Sequence, residues 1–216
     1  MPKFYGQHRE DRILANFFKK NTGFYVDVGA ASGIKLSNTY HFELLGWDGI
    51  CVEPYQPFFK QLRRNRNAIV VFGAAYDQTG KVVLYGHEKG FISTTEIDDA
   101  VKMRRKTRRG CGTDKSEYNG RVVPSFRIAD ILDEHNAPNN IDLFSLDVEG
   151  GEFKVLDGHD FDKYDVRVFV IEANTTSQRE QLNSRMSEHG YECALVHKCN
   201  CFYSKHNDVL GLRNSK

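Results

Sequence analysis

No run of 18 apolar residues occurs in this chain, so no helix able to cross a bilayer is expected. Neither charge is in excess. Thirty Lys and Arg stand against 29 Asp and Glu, a net +1, so bulk electrostatics selects neither nucleic acid nor a membrane surface. The first residues, MPKFYGQHREDRILANFF, are charged almost from the start and have no long apolar core, which argues against a secretory signal. Cys51, Cys111, Cys193, Cys199 and Cys201 are odd in number and form no paired CxxC; reduced thiols in the cytoplasm are the expectation. The chain also lacks the GxGxxG loop that makes room for a pyrophosphate, which disfavours a nicotinamide oxidoreductase. Residues for a core are present: 40% of the 216 residues are hydrophobic and 12% aromatic, enough for one domain with an ornament.

The apolar pattern alternates between two periods. Ile13, Leu14, Phe17 and Phe18 recur at helical spacing over Glu10 to Lys20. GFYVDVG (23–29) reads as a buried parallel strand, followed by helical periodicity over 38–45 that Gly46 stops. A second strand over 49–53 ends on Glu53, and Pro57 opens a helix at an early position. A third strand runs from Ala68 to about Ala74, and Lys81 to Tyr85 adds another after the Thr79-Gly80 turn. From Asp98 to Gly120 the chain is charged and poor in large apolar residues, as a variable basic surface segment would be. Regular structure resumes at Arg121–Pro124, with a helix near Ile128–His135, strands over 141–147 and 166–172, a helix over 178–189, and a hairpin from Tyr191–His197 and Cys201–Ser204. Strands alternating with helices predict a mainly parallel sheet whose strand C-termini share one edge. Ligands bind at that edge, where strand order reverses.

Chemistry-bearing residues follow several of these strands. Past the first lies Asp27-Val28-Gly29-Ala30-Ala31-Ser32-Gly33, whose two glycines allow a sharp turn and close approach to a ligand. Asp27 suits an ammonium group or a cation, and a plain glycine turn is the bland reading. Past the second, 24 residues after Gly29, stands Glu53. A carboxylate there accepts hydrogen bonds from both ribose hydroxyls; as a helix N-terminal acid it would merely complement the dipole. Past the fourth comes Asp147-Val148-Glu149-Gly150-Gly151, with Asp147 and Glu149 expected to point the same way on an extended backbone. Like charges so close repel unless a base function, a metal or a cofactor ammonium uses them; helix capping is the alternative. Glu172 and Asn174 follow the fifth strand on the same edge.

These residues resemble the FkbM-type methyltransferases, a branch of class I S-adenosylmethionine-dependent enzymes. The motifs GFYVDVGAASG, SNTYHFELLGWDGICVEP, IDLFSLDVEGGEFKVLDG and VFVIEAN carry the resemblance, which begins at YGQHREDRIL and runs nearly the whole length. It implies a Rossmann-like α/β fold over 1–216: a mainly parallel seven-stranded sheet, an antiparallel last strand and helices on both faces. It also implies methyl transfer from S-adenosyl-L-methionine, usually to oxygen. Asp27, Gly29, Ala30, Ser32 and Gly33 would line the cofactor, with Glu53 on its ribose and Ala74 and Ala75 where the adenine pocket begins. Asp147 and Glu149 would sit near the transferred methyl group.

Such a transfer asks the protein to position an acceptor and remove its proton. Glu149 is the first candidate base, with Asp147 positioning substrate or cofactor. No metal is expected, although Asp147, Glu149 and Glu172 together offer hard oxygen ligands. His41 and His159 lie near motifs and read first as packing residues. A small acceptor such as a sugar or metabolite is favoured. In Val101–Arg109, six of nine residues are cationic, and Arg104, Arg105, Arg108 and Arg109 offer contacts to phosphates. An RNA or cap ribose methyltransferase is therefore the alternative, beside a cofactor-binding module without turnover. His189, Cys193, His197, Cys199, Cys201 and His206 cluster in sequence; buried thiols in a hairpin are favoured over zinc.

Overall fold

A computed structural model describes residues 3–86, 93–94 and 119–215. Helix α1 (Glu10–Phe18) is followed by β1 (Phe24–Val28), α2 (Tyr40–Leu45), β2 (Asp48–Glu53), α3 (Gln56–Asn65) and β3 (Ile69–Phe72). Four short strands come next: β4 (Ala74–Tyr76), β5 (Gly80–Gly86), β6 (Ser93–Thr94) and β7 (Asn119–Arg127). The second half runs α4 (Ile128–Glu134), β8 (Asn140–Leu146), α5 (Glu152–Asp157), β9 (Asp165–Glu172), α6 (Thr176–Ser187), β10 (Tyr191–His197), β11 (Asn200–Lys205) and α7 (His206–Arg213).

Seven strands form the main sheet in the order β10-β11-β9-β8-β1-β2-β3. β3, β2, β1, β8 and β9 pair in parallel, while β11, the last strand in the chain, runs antiparallel to both β9 and β10. This is the Rossmann-like methyltransferase arrangement that the resemblance implies. Strand alternation sends the core to two faces. Tyr25, Cys51, Leu143 and Val170 meet Leu14, Phe42, Leu62 and Leu212 from α1, α2, α3 and α7. Val26, Ile50, Phe144 and Phe169 meet Leu132, Leu156 and Met186 from α4, α5 and α6. From β1 the chain runs outward through β2 to β3 and later returns to β8 on the other side of β1, so the ends of β1 and β8 flank the point where strand order reverses. No helix among the described residues is long and apolar enough to cross a membrane.

Several expectations need correction. The run 68–74 is two strands. β3 stays in the main sheet, whereas β4 pairs in parallel with β7 in a second, four-stranded sheet ordered β4-β7-β5-β6. Gly73 makes the break, since a Cβ there would lie 2.7 Å from the Phe126 ring. The expected strand at 81–85 and the regular stretch at 121–124 are the antiparallel pair β5 and β7 of that sheet. The basic stretch read at 98–120 lies outside the described residues as far as 118, and Asn119 and Gly120 already belong to β7. Helix α6 starts earlier than periodicity indicates because Thr175 and Gln178 close a capping box. The six residues of α5 are too few to show a period, and α7 follows β11 without a break.

His159 is a core residue. Phe144, Phe161 and Phe169 surround its ring at 4.6–5.7 Å, and neither ring nitrogen makes a hydrogen bond. Burial pushes its pKa down from the ordinary 6.5 to about 4, so folding selects the neutral imidazole. The sign follows. This contribution is intact above pH 6.5 and is lost as pH falls toward 4. His159→Leu cannot take up that proton. Equilibrium denaturation of both proteins should show the wild type losing about 3 kcal/mol relative to the variant between pH 7 and pH 4. A pH-independent difference would contradict the neutral buried ring.

Candidate active site

The loop after β1 is shaped by contacts that only glycine permits. Gly29 has φ +83°, and a Cβ on it would lie 1.8 Å from the Asp147 carbonyl oxygen. The amide of Asp147 donates to the Val28 carbonyl at 3.1 Å, which brings the ends of β1 and β8 together at this point. Gly33, φ +84°, is pressed against α3, where a Cβ would meet Leu62 Cδ1 at 2.5 Å.

Arg66, just past α3, ties the whole loop down. Its side chain is fully buried. Nη1 donates to the Gly33 carbonyl at 2.9 Å, Nη2 to Thr39 Oγ1 at 2.9 Å and Nε to Glu43 Oε2 at 2.7 Å. Asp27 Oδ2 lies 3.7 Å from Nη1 and accepts from Thr39 Oγ1 at 2.5 Å. The rings of Tyr25 and Tyr40 stand 5.2 and 5.3 Å from the guanidinium. Asp27 is thus engaged in the protein on one oxygen while it still lines the cavity described below. Burial raises its pKa, against the pull of Arg66.

Glu53 closes β2 and is almost fully buried. Oε2 accepts from the Ala31 amide at 2.8 Å and Oε1 from the Tyr55 amide at 2.7 Å. Ala31 takes a left-handed φ of +47° to present that amide. Each carboxylate oxygen keeps a lone pair for another donor. Burial pushes the pKa of Glu53 up to about 7.

Past β8 the carboxylates meet through a turn, and not through the strand alternation that the sequence pattern predicts. β8 ends at Leu146, and Glu149 adopts φ +58°, a strained value for a non-glycine residue. Gly150 follows at φ +113°, and Glu152 Oε1 holds the turn by accepting from the amides of Val148 and Gly150 at 3.3 and 3.1 Å. Carboxylate oxygens of Asp147, Glu149 and Glu172 come within 4.8 Å of one another. Asp147 faces the open cavity and is exposed to it. Loss of water, then the charges of Glu172, Glu149 and Glu152, drive its pKa well above the carboxylate range, and it shares a hydrogen bond with Glu172.

These pieces surround one cavity of about 300 Å³. Asp27, Gly29, Ala30, Glu53, Ala74, Ala75, Asp147 and Glu149 all line it, with Glu172 beside them. Ser32 and Gly33 do not. The Ser32 carbonyl accepts from Asn65 Nδ2 at 2.7 Å, so both residues serve the packing of the loop on α3. Asn174 is exposed outside the lining, and its backbone amide donates to Gln178. His41 packs on Phe4 and Phe42, as expected for a packing residue. Arg104, Arg105, Arg108 and Arg109 lie outside the described residues. The C-terminal Cys and His residues form no metal-type group among the described residues; Cys201 is in the core and His189 stacks on Phe161 at 3.7 Å. Sequence reasoning missed Gln7, Lys35, Asn38, Phe58 and Ser145, which also line the cavity. Gln7, Asn38 and Ser145 lie within the motifs that carry the resemblance, which assign them no role.

Comparison with known proteins follows this geometry. A family model described as the methyltransferase FkbM domain matches residues 27–193. No curated protein matches. Among solved structures, the chain is similar to a precorrin-6y C5,15-methyltransferase from Geobacter metallireducens GS-15, with 14% identity, TM-score 0.48, and coverage of 93% of this chain and 92% of that one. It is also similar to the METTL16 MTase domain, with 12% identity, TM-score 0.43, and coverage of 89% and 62%.

The Arg66 network generates a stability prediction. Arg66→Met keeps bulk and leaves the buried carboxylates of Asp27 and Glu43 without their cation. Chemical denaturation should show a loss of about 3–5 kcal/mol. Lys205→Met, which removes the exposed pair with Asp165, should cost less than about 1 kcal/mol. Equal effects would mean that Arg66 does not organise the loop.

Proposed function

The chain belongs to the FkbM methyltransferase family, a family of S-adenosylmethionine-dependent enzymes, and from that premise we propose that it methylates an oxygen of a small hydroxylated acceptor in the cavity at the ends of β1, β2, β8 and β9. The observation that carries this reading is one cavity holding both a nucleoside-type acid, Glu53, and a cluster of three carboxylates, Asp147, Glu149 and Glu172.

The residues present fit the cofactor chemically. Glu53 has lone pairs to spare for two ribose hydroxyls, and Phe58, Ala74, Ala75 and Leu84 give the same end an apolar wall for an adenine. Gly29 and Ala30 let the backbone come close, and no phosphate-binding loop is present. Asp27 and Asp147 suit the ammonium group. When bound, the cofactor supplies a methyl group activated by a sulfonium.

The protein's own residues then have to hold the acceptor and take its proton. Glu149 is the proposed base, because its left-handed turn holds the carboxylate within reach of Asp147 and Glu172. Asp147, beside Glu149 and Glu172 on the cavity wall, would position the acceptor's hydroxyl. Five carboxylates and one lysine among the lining residues favour a neutral, hydroxyl-rich acceptor over an anionic one. The nucleic-acid alternative rests on Arg104, Arg105, Arg108 and Arg109 alone. A second reading has its own observation: the same three acids are grouped closely enough to ligate a hard divalent cation that would lower the acceptor's pKa.

Glu149→Gln keeps shape and removes the base. With S-adenosylmethionine and a panel of sugars and small alcohols, turnover should fall at least about 100-fold, while affinity for S-adenosylhomocysteine changes less than about threefold. Unchanged turnover would remove Glu149 from the reaction. Loss of wild-type turnover on chelation, restored by magnesium, would favour the metal reading over the simple base. Cofactor binding without transfer to any acceptor would favour a binding module.

A further inference from the structure

The segment ahead of α1, residues 3–9, lies outside the matched region 27–193, yet it is fastened to both sides of the cavity. On one side Gly6 pairs in parallel with Leu36, a lining residue, and Tyr5 packs on Tyr40 at 4.8 Å. On the other side His197 Nε2 bonds the His8 carbonyl at 2.9 Å, and Asn200 Nδ2 donates to Glu10 Oε1 at 2.9 Å. Asn200 is the β11 residue opposite Glu172, so this anchor reaches the strand beside the acid cluster.

Two fully buried carboxylates hold the strap from below. Glu10 Oε2 accepts from the His8 amide at 2.8 Å, and Asp11 Oδ2 accepts from the Tyr5 amide at 2.5 Å. Burying two acids is costly, and both are used to fix this short backbone. Gly6 is tightly packed at its centre: a Cβ would lie 2.9–3.1 Å from side-chain oxygens of Glu10, Asp11 and Asn38, which would have to shift. At the turn of the strap stands Gln7, exposed and lining the cavity.

We infer that Gln7 belongs to the cofactor site and donates a hydrogen bond to the carboxylate at the amino-acid end of the cofactor. This rests on the reading that the cavity takes S-adenosylmethionine with its nucleoside at Glu53. Asp27, Asn38, Ser145 and Asp147, which also line the cavity, offer mainly acceptors, which suit an ammonium group better than a carboxylate. Among the lining residues the amide and ammonium donors are Gln7, Lys35 and Asn38, and Asn38 donates Nδ2 to Ser145 Oγ at 3.2 Å. Lys35 already has a partner within the protein, and the Gln7 amide, on a backbone held by Glu10 and Asp11, meets the demand.

The test compares two ligands that share a nucleoside and differ in the amino-acid arm. S-adenosylhomocysteine has the arm and 5′-methylthioadenosine lacks it. Calorimetric titration of wild type, Gln7→Ala and Gln7→Glu should show S-adenosylhomocysteine bound about 10-fold more weakly by Gln7→Ala, and more weakly still by Gln7→Glu, whose charge repels the carboxylate. 5′-Methylthioadenosine should bind all three within about twofold, and the melting temperatures should agree, because Gln7 lies at the surface. Equal losses for both ligands, or unchanged affinity for S-adenosylhomocysteine, would overturn the assignment and leave the cofactor reading standing. A wild type that binds neither ligand would overturn both.

Discussion

One buried guanidinium organises the ligand-facing half of this protein. The loop between β1 and α2 is irregular, and its carbonyls and hydroxyls point into the protein where water cannot satisfy them. Arg66 answers several of these groups at once, bonding the Gly33 carbonyl, Thr39 and Glu43 and lying beside Asp27. A planar fork of five donors does this where a lysine would not. The tyrosine rings on either side shield the charge, and Tyr25 also donates to Glu43 at 2.5 Å. Because Arg66 follows α3 directly, the loop is locked to the helix after β2. The positions of Asp27 and of Glu53 are therefore coupled through packing and not left to a flexible turn.

The cavity is electrostatically expensive. Glu53 and Glu152 are each pushed up to about 7 by burial, and the pKa of Asp147, at the cavity wall, is raised by desolvation and by its acidic neighbours. Such groups do not stabilise the empty protein at neutral pH, since folding favours their protonated forms. Backbone amides offset part of the cost, with two on Glu53 and two on Glu152. What remains is a site ready to accept hydrogen bonds from hydroxyls and an ammonium group. That chemistry matches the proposed methyl transfer and the proposed strap, in which Gln7 supplies a donor where acceptors dominate.

Much of this was legible in the sequence. The alternation of apolar runs predicted the strands of the main sheet, because a buried parallel strand and an amphipathic helix have different periods. Asp27, Gly29, Glu53, Asp147 and Glu149 stood out because acids and glycines just past strands have few structural reasons to be there. The split at Gly73 was hidden, since a glycine inside an apolar run does not announce that the strand changes sheets. Arg66 was hidden as well: in sequence it is one more cation after Arg63 and Arg64, and its burial depends on partners more than 20 residues away. Gln7 lies in the YGQHREDRIL motif where the resemblance begins, but nothing in the motif assigns it to a ligand. Its place in the cavity is set by Gly6, Glu10 and Asp11, whose burial emerges only when β11 closes against α1. Ser32 and Gly33 share the spacing of ligand contacts, because loop spacing does not distinguish residues facing a ligand from those facing a helix.

The central claim is that this cavity binds S-adenosylmethionine through Glu53. The most direct measurement is calorimetric titration of S-adenosylhomocysteine and of NAD into wild type and Glu53→Ala. The account predicts saturable one-to-one binding of S-adenosylhomocysteine, no binding of NAD, and an affinity at least about 100-fold lower in Glu53→Ala, where hydrogen bonds to a charged group are removed. Binding of NAD with no heat from S-adenosylhomocysteine, or an unchanged affinity in Glu53→Ala, would contradict it.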